Sequence, residues 1–350
     1  MSFQHTIKKP FSITGRPHQP GRTVHMTFQP AQEGTGIVFL RNGKRVNATL
    51  ANIRDGSNMK NGFLGWSATE FKQNGKSVST SEHLMAALRA AGIDNCEIEL
   101  SGKHIPQFRY STREYMRELT HNKSQQNAKR AQVEINFLST SRFVKRTPAQ
   151  LEQVQTALAR RKIPASFFSL AKNEPLIVFE NPNPRRPDLL IIRPAKGVIV
   201  SSGYGFDKYK AIANTQFHRM QLDTKNYEQE VMDARVPAFP GILNGRLVNP
   251  FLTLGKVQVG DFKLHGIDSE RAVLVGHPNE KSFLNDPKNP QTRVRYNGEE
   301  PVRHKQIDLL GVIASFPGHF NNVEIFAYKA GHEFLIHSFK QLVKEGIIVE

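Results

Sequence analysis

Short stretches of two-residue alternation, interrupted by a few helical stretches, recur in both halves of this 350-residue chain, and that mixture points to a layered α+β fold. Thr23, Val24, Met26 and Phe28 alternate, and Gly36-Ile37-Val38-Phe39-Leu40 follows. The turn-forming residues of Pro30–Gly36 lie between them, so two antiparallel strands are expected here. Gly62–Trp66 and Lys76-Ser77-Val78 read as further short strands. At residues 80–92 the period changes. Leu84, Ala87, Leu88 and Ala91 fall at i, i+3, i+4 and i+7, which is helical, and Gly92 is a stop signal. Ile93–Leu100 reads as a strand and Thr112–Leu119 as a second short helix.

A chain of this length exceeds the ~100–200 residues of a usual domain, so two domains are expected. The first is placed at residues 1–120. Residues 121–174 differ in character. Asn122–Arg130 is rich in Gln, Asn and Lys. Gln150–Arg161 reads as a basic surface helix, with Thr147 as N-cap and Pro148 at the first helical position. This segment is read as an insertion or linker. The strand-rich pattern returns over 175–350. Leu176–Phe179, Leu189–Ile192, Gly197–Ser201, Arg271–Val275 and Val323–Tyr328 read as strands, and Asn226–Ala234, Val302–Ser315 and His332–Lys344 as helices.

Hydrophobic residues make up 38% of the chain, enough for a packed core. The lone cysteine, Cys96, excludes an intramolecular disulfide framework and fits a reducing compartment. Met1–Pro10 is polar and reads as no secretory leader, and no apolar run approaches the ~20 residues of a membrane span. A cytoplasmic location is therefore expected. The formal charge of +17 favours anionic partners: phosphorylated metabolites, an anionic membrane surface or nucleic acid. Against nucleic acid stand the lack of zinc-finger spacing, of a Walker A loop and of an aromatic-basic RNA-binding signature.

Three short stretches carry residues capable of chemistry. In Ser79-Thr80-Ser81-Glu82-His83-Leu84, Glu82 and His83 begin a helix. Ser79-x-x-Glu82 equally reads as a capping box, and His83 as an ordinary histidine. In Arg303-His304-Lys305-Gln306-Ile307-Asp308, His304 and Asp308 are four apart and share one helical face, which suits a common metal ion or a plain side-chain contact. In Lys329-Ala330-Gly331-His332, glycine at a strand–helix junction permits close approach of a ligand, or simply a turn. Together, His83, His304 and Asp308 supply three N/O ligands and leave a fourth position open, the pattern of a catalytic zinc site, where bound water ionises near pH ~7. Glu82 would then accept a proton and His332 donate one to a leaving amine.

These stretches, in this order, make the chain similar to the UDP-3-O-acyl-N-acetylglucosamine deacetylases of bacterial lipid A synthesis. Ser12-Ile13-Thr14-Gly15, Gln29-Pro30-Ala31, Gly34–Phe39 and Ala91-Gly92-Ile93-Asp94-Asn95 add to the likeness, which is dense over residues 5–106 and 302–342. The resemblance implies two similar α+β domains, each a sheet layer with packed helices, and an active site at their interface. It implies Zn2+ held by His83, His304 and Asp308, Glu82 as general base and His332 as general acid. It places Lys305 against the diphosphate of a UDP-linked N-acetyl amino sugar, whose 2-acetamide is hydrolysed to acetate.

The chain departs from that pattern at several points. The family's glycine-leucine-histidine run is replaced by Arg16-Pro17-His18-Gln19, which displaces the histidine by one. Ile105-Pro106 is followed by Gln107-Phe108-Arg109-Tyr110-Ser111, with Arg109 in place of an aspartate. Val236, in Arg235-Val236-Pro237-Ala238-Phe239, stands for a threonine whose hydroxyl helps hold the oxyanion, a donor whose loss commonly costs ~2.7–4 kcal/mol of barrier. Val312 stands for the helix aspartate that supports the general-acid histidine, and Gly266–Ala272 is too polar to map the acyl passage.

Three functions follow from these residues. The first is a zinc amidohydrolase acting on an N-acetyl amino sugar, the lipid A precursor or a related one. The second is a metal-binding relative with a regulatory role, suggested by Val236 and Val312. The third is a binder of nucleic acid or of an anionic membrane surface, with Lys145, Arg146, Arg160, Arg161 and Lys162 as its basic patch.

Overall fold

The computed structural model describes residues 2–17, 23–56, 68–109, 111–171, 174–183, 185–238, 269–276 and 279–349, with the backbone of four two-residue strands at 242–243, 246–247, 258–259 and 262–263. The predicted strand at Gly62–Trp66 lies outside the described residues, as do His18 and Tyr110.

Two sheets dominate. The first has five strands in the spatial order Phe11–Gly15, Val24–Pro30, Cys96–Leu100, Ile37–Arg41, Lys44–Asn47. The second has six: Val144–Lys145, then Leu176–Glu180, Leu189–Pro194, Val323–Tyr328, Val198–Tyr204 and Gln216–Gln221. Apart from the short Val144–Lys145 strand the two share one strand order. In each, the last strand in sequence sits in the middle, antiparallel to one neighbour and parallel to the other. Parallel neighbours need a crossover connection. Helix α1 (Glu82–Ala91) leads into the central strand of the first sheet, and the long helix Glu300–Ile313 leads into that of the second.

This order corrects one sequence expectation. Val24–Pro30 and Ile37–Arg41 are both strands, but they do not pair, because Cys96–Leu100 lies between them. Its Cys96, Ile98 and Leu100 are buried in alternation, so the late strand fills the position with most burial. Asn95 fixes the join, accepting from the Gly36 N–H at 2.8 Å.

Among the described residues the α-helices in chain order are α1, α2 (Arg113–His121), α3 (Pro148–Arg160), α4 (Thr224–Glu230), α5 (Glu300–Ile313) and α6 (His332–Lys344). The Ala/Leu/Met-rich α1 contains no β-branched residue and ends at Gly92, whose φ of 72° is the left-handed C-cap geometry. Every α1 residue but Arg89 is buried, so the helix is enclosed on all sides rather than along one stripe. It packs on α5, and one continuous core runs from Met26, Phe39 and Ile98 through Leu84, Leu88, Ile307 and Leu310 to Ile192, Val200 and Ile325. The two central helices thus lie between the two large sheets.

Residues 121–174 contribute to several of these layers. Lys123–Lys129 pairs with Phe3–Ile7, Glu134–Ile135 with Ile348–Val349, and Val144–Lys145 edges the six-stranded sheet. Helix α3 carries the predicted Thr147 cap, and its Leu151, Val154 and Leu158 cover Leu176, Val178, Ile191 and Phe326. Helix α4 is shorter than expected. Asp223 caps it, accepting from the Asn226 N–H at 2.8 Å, and it ends before Val231. Arg271–Val275 forms only the short strand Val273–Leu274. Of the basic patch, Arg161 is committed internally, to Glu180 at 2.9 Å and the Pro187 carbonyl. Among the described residues no helix is long and apolar enough to cross a membrane.

Candidate active site

The site begins at the corner between strand Lys76–Ser79 and α1. Thr80 turns it with φ 59°, a left-handed conformation that costs a β-branched residue strain. The corner is pinned on both sides. Ile105 N–H donates to the Ser79 carbonyl at 3.0 Å, and Gln107 Nε2 donates to the Thr80 carbonyl at 2.9 Å. The next residues, Glu82 and His83, are buried in the first turn of α1. The sequence's capping box does not form. Ser79 ends the strand, Ser81 is the N-cap but its hydroxyl bonds Thr69 rather than capping the helix, and the Glu82 carboxylate turns to Thr69 as well. It accepts from the Thr69 N–H at 3.0 Å and from Thr69 Oγ1 at 2.9 Å. A tertiary partner outcompetes the local cap.

Helix α5 brings the second group. Its crossing on α1 stands the His83 and His304 rings edge to face, with centroids 5.1 Å apart. One ligand atom each from His83, His304 and Asp308 lies within 4.8 Å of the others, and all three residues are buried. Asp308 divides its oxygens. Oδ2 accepts from Lys305 Nζ at 2.6 Å, while Oδ1 faces His304 Nε2 and His332 Nε2, each at 3.7 Å. His332 opens α6 and is also buried. The five residues singled out for metal and proton chemistry therefore meet at one place, and Lys305 sits at its edge, above the Tyr204 ring at 5.3 Å.

The electrostatics suit a cation. Burial, with His304 beside it, pushes the His83 imidazole down to about 3, and burial holds His304 low as well, so both rings are neutral at pH 7. Burial alone would raise Asp308, but Lys305, His332 and His304 outweigh it and keep the carboxylate ionised. Burial raises Glu82, against the opposing pull of His332 and the Thr69 N–H. His304 Nδ1 donates to the Ala234 carbonyl at 3.1 Å, which leaves Nε2 free as a ligand. His83 Nδ1 is buried without a hydrogen-bond partner, a cost that a ligated ion would remove. Two neutral imidazoles and one carboxylate fit zinc.

Val312 is fully buried in the core, one turn beyond Asp308, and His332 Nδ1 is buried with no partner. Among the described residues no group hydrogen-bonds that nitrogen, and valine at 312 offers neither donor nor acceptor. Val236 packs against Ala238, Ala272 and Leu274, an apolar setting.

Several supporting residues escape a sequence reading. Arg89, the lone charge in the body of α1, donates to the carbonyls of Phe316 at 2.8 Å, Gly318 at 3.0 Å and Ile313 at 3.3 Å. It clasps α1 to the end of α5, and its isolation in an apolar helix was the available signal. Gly311 sets how closely the two helices approach. A Cβ there would lie 2.8 Å from the Glu82 carbonyl oxygen and 2.9 Å from Glu82 Cα. Both are backbone atoms of an enclosed helix, so they cannot swing aside. A mid-helix Gly→Ala change ordinarily stabilises by about 0.5–1 kcal/mol. Gly311→Ala is instead expected to destabilise by about 1–3 kcal/mol, the usual cost of overpacking. It should also weaken cation binding, because it displaces Glu82 and His83 together. Melting curves and a zinc titration check both, and a stabilised variant would contradict the packing argument.

The first part of the chain, residues 4–170, matches the family model described as UDP-3-O-acyl N-acetylglycosamine deacetylase. Similarity to curated proteins extends further. A UDP-3-O-acyl-N-acetylglucosamine deacetylase of Syntrophotalea carbinolica is 27% identical over 337 residues, covering 95% of this chain and 85% of that protein. The corresponding protein of Geotalea uraniireducens is 25% identical over 341 residues, 97% of this chain and 87% of its own length. One from Oleidesulfovibrio alaskensis is 39% identical, but over 104 residues, 29% of this chain and 32% of that protein. On the partial family match and this nearly full-length likeness, the chain is similar to the UDP-3-O-acyl-N-acetylglucosamine deacetylases.

Proposed function

We propose that the chain is a zinc-dependent deacetylase that removes the N-acetyl group of UDP-3-O-acyl-N-acetylglucosamine or a closely related N-acetyl amino sugar. The observation that carries this reading is the meeting of Glu82, His83, His304, Asp308 and His332 in one buried cluster. The activity for which the relatives are named supplies the substrate class.

His83, His304 and Asp308 would hold the ion. Zinc bound there supplies a Lewis acid that makes water a nucleophile near neutral pH. Glu82, held by Thr69 and shielded from solvent, takes the proton of the attacking water. His332, across Asp308 from His304, gives a proton to the amine as it leaves. Lys305 carries the ammonium that meets the substrate's phosphates, and Asp308 neutralises it in the free protein. Val236 offers no hydroxyl to the developing oxyanion. The two halves, residues 1–120 and 175–350 with 121–174 between, act as similar α+β units with the site between them. Their shared strand order supports that division.

Metal analysis and an acetate-release assay test the proposal. Purified protein should carry about one zinc per chain, lose activity on chelation and recover it on reloading. Glu82→Ala should keep its fold and its zinc while the rate falls about 10²- to 10⁴-fold, the range for a lost general base. Zinc-loaded wild type that releases no acetate from either sugar class would end this reading. A second reading, a metal-binding relative without turnover, is favoured by the unpartnered His332 Nδ1 and by the valines at positions 236 and 312. It requires that Glu82→Ala leave cellular function unchanged.

A further inference from the structure

Beside the cluster lies a cavity of about 320 Å³ whose walls include Arg16, Gln107, Phe108, Arg109, Glu114 and Arg271. Three arginines therefore face a single carboxylate. Among the described residues, neither the Arg16 nor the Arg109 guanidinium has a hydrogen-bond or ion-pair partner, although Arg109 acts on Glu114 through space. A guanidinium presents five N–H donors in a planar fork matched to carboxylate and phosphate oxygens. The lining carboxylate is also unsatisfied, since Glu114 Oε2 is buried without a partner.

The walls are fixed by backbone bonds rather than by the arginines themselves. Gln107 N–H donates to the Arg16 carbonyl at 3.0 Å, joining the two sides. Tyr115 Oη donates to the Pro106 carbonyl at 2.5 Å, and its ring meets Phe108 edge to face. Arg109 is held at φ 35°, a conformation rare for a residue with a side chain. Gln107 connects the cavity to the cluster. Its side chain bonds the Thr80 carbonyl at the head of α1 and lies within electrostatic reach of His83. A volume near 300 Å³ is the lower end of small-ligand sites, enough for one oxyanion group and a short apolar portion against Phe108.

We infer that this cavity is an anion-binding subsite next to the reaction centre, in which Arg16 and Arg109 grip a phosphate or carboxylate of the bound molecule. Only the link to turnover rests on the deacetylase reading, because the binding itself can be measured without catalysis.

Calorimetric titration of the full chain with inorganic phosphate and, separately, with acetate tests it, and the tighter of the two names the group. One saturable site is expected. The Arg16→Gln/Arg109→Gln double variant should bind that anion about 10- to 100-fold more weakly, the range for lost charged hydrogen bonds. Arg109→Gly, which suits the local φ, gives a second variant that removes the guanidinium without straining the loop. Arg142→Gln, at an arginine stacked on Phe143, and His304→Ala should bind it as wild type does. Two results overturn the inference: no saturable binding of either anion, or binding that the arginine variants leave intact and His304→Ala removes, which would place the anion at the histidine cluster.

Discussion

His304→Ala is expected to leave the chain without stoichiometric zinc and to lower acetate release by ~10³-fold or more. Changing a residue that merely orients a metal ligand commonly costs ~10–100-fold in affinity or activity. His304 is proposed as a ligand itself, and its geometry allows no substitute. Its ring is buried, Nδ1 is occupied by the Ala234 carbonyl, and Nε2 alone faces Asp308 and the neighbouring imidazoles. With alanine there, His83 and Asp308 would be two ligands where zinc asks for three. His332, 3.7 Å from Asp308 Oδ1, is the nearest candidate replacement, but recruiting it would remove the proposed acid. Metal content by mass spectrometry, with circular dichroism to confirm folding, decides the matter. A folded variant that retains one tightly held zinc would remove His304 from the ligand set and leave the proposed reaction without its metal site.

What could be read in the sequence was local. The four-residue spacing of His304 and Asp308 fixed a shared face before any partner was known, and the Leu84–Ala91 period located α1 to within two residues at its start. The meeting of those two helices was not readable, because it depends on Arg89 reaching the end of α5 and on Gly311 lacking a side chain. Both effects join positions more than two hundred residues apart, and no periodicity reports them. Val24–Pro30 and Ile37–Arg41 are antiparallel strands as expected, but the strand that separates them was unreadable for the same reason. Alternation tells which residues of a strand are buried but not which strand lies beside it. The capping box at Ser79 and Glu82 failed because a buried carboxylate takes the strongest donors available, and Thr69 offers two. Gln216–Gln221 was missed as a strand because it lies at the edge of its sheet and keeps three polar positions at least partly exposed.

The largest expected effect on stability comes from Glu300, a residue that no local pattern marks. Glu300 and Arg235 are both fully buried, and the carboxylate accepts from Arg235 Nε at 2.7 Å, Arg235 Nη2 at 2.8 Å and the Arg235 N–H at 2.9 Å. It also accepts from the Arg295 N–H at 2.9 Å. Glu300→Ala strands a guanidinium that cannot reach water and leaves two backbone donors unpaired. Breaking such a pair typically costs about 3–5 kcal/mol, a large share of the roughly 5–15 kcal/mol that holds a domain folded. The loss should reach the proposed metal ligands. Arg235 follows Ala234, whose carbonyl orients His304, so zinc affinity should fall together with the urea midpoint. Replacing both partners by leucine and methionine is expected to restore part of the stability, since it removes the stranded charge. Recovery stays incomplete, because Arg235 also donates to the carbonyls of Ser269, Thr292 and Arg293, which the apolar pair would leave unsatisfied. Urea unfolding of the single and double variants separates these contributions. A single variant within 1 kcal/mol of wild type would show that the pair carries little of the fold.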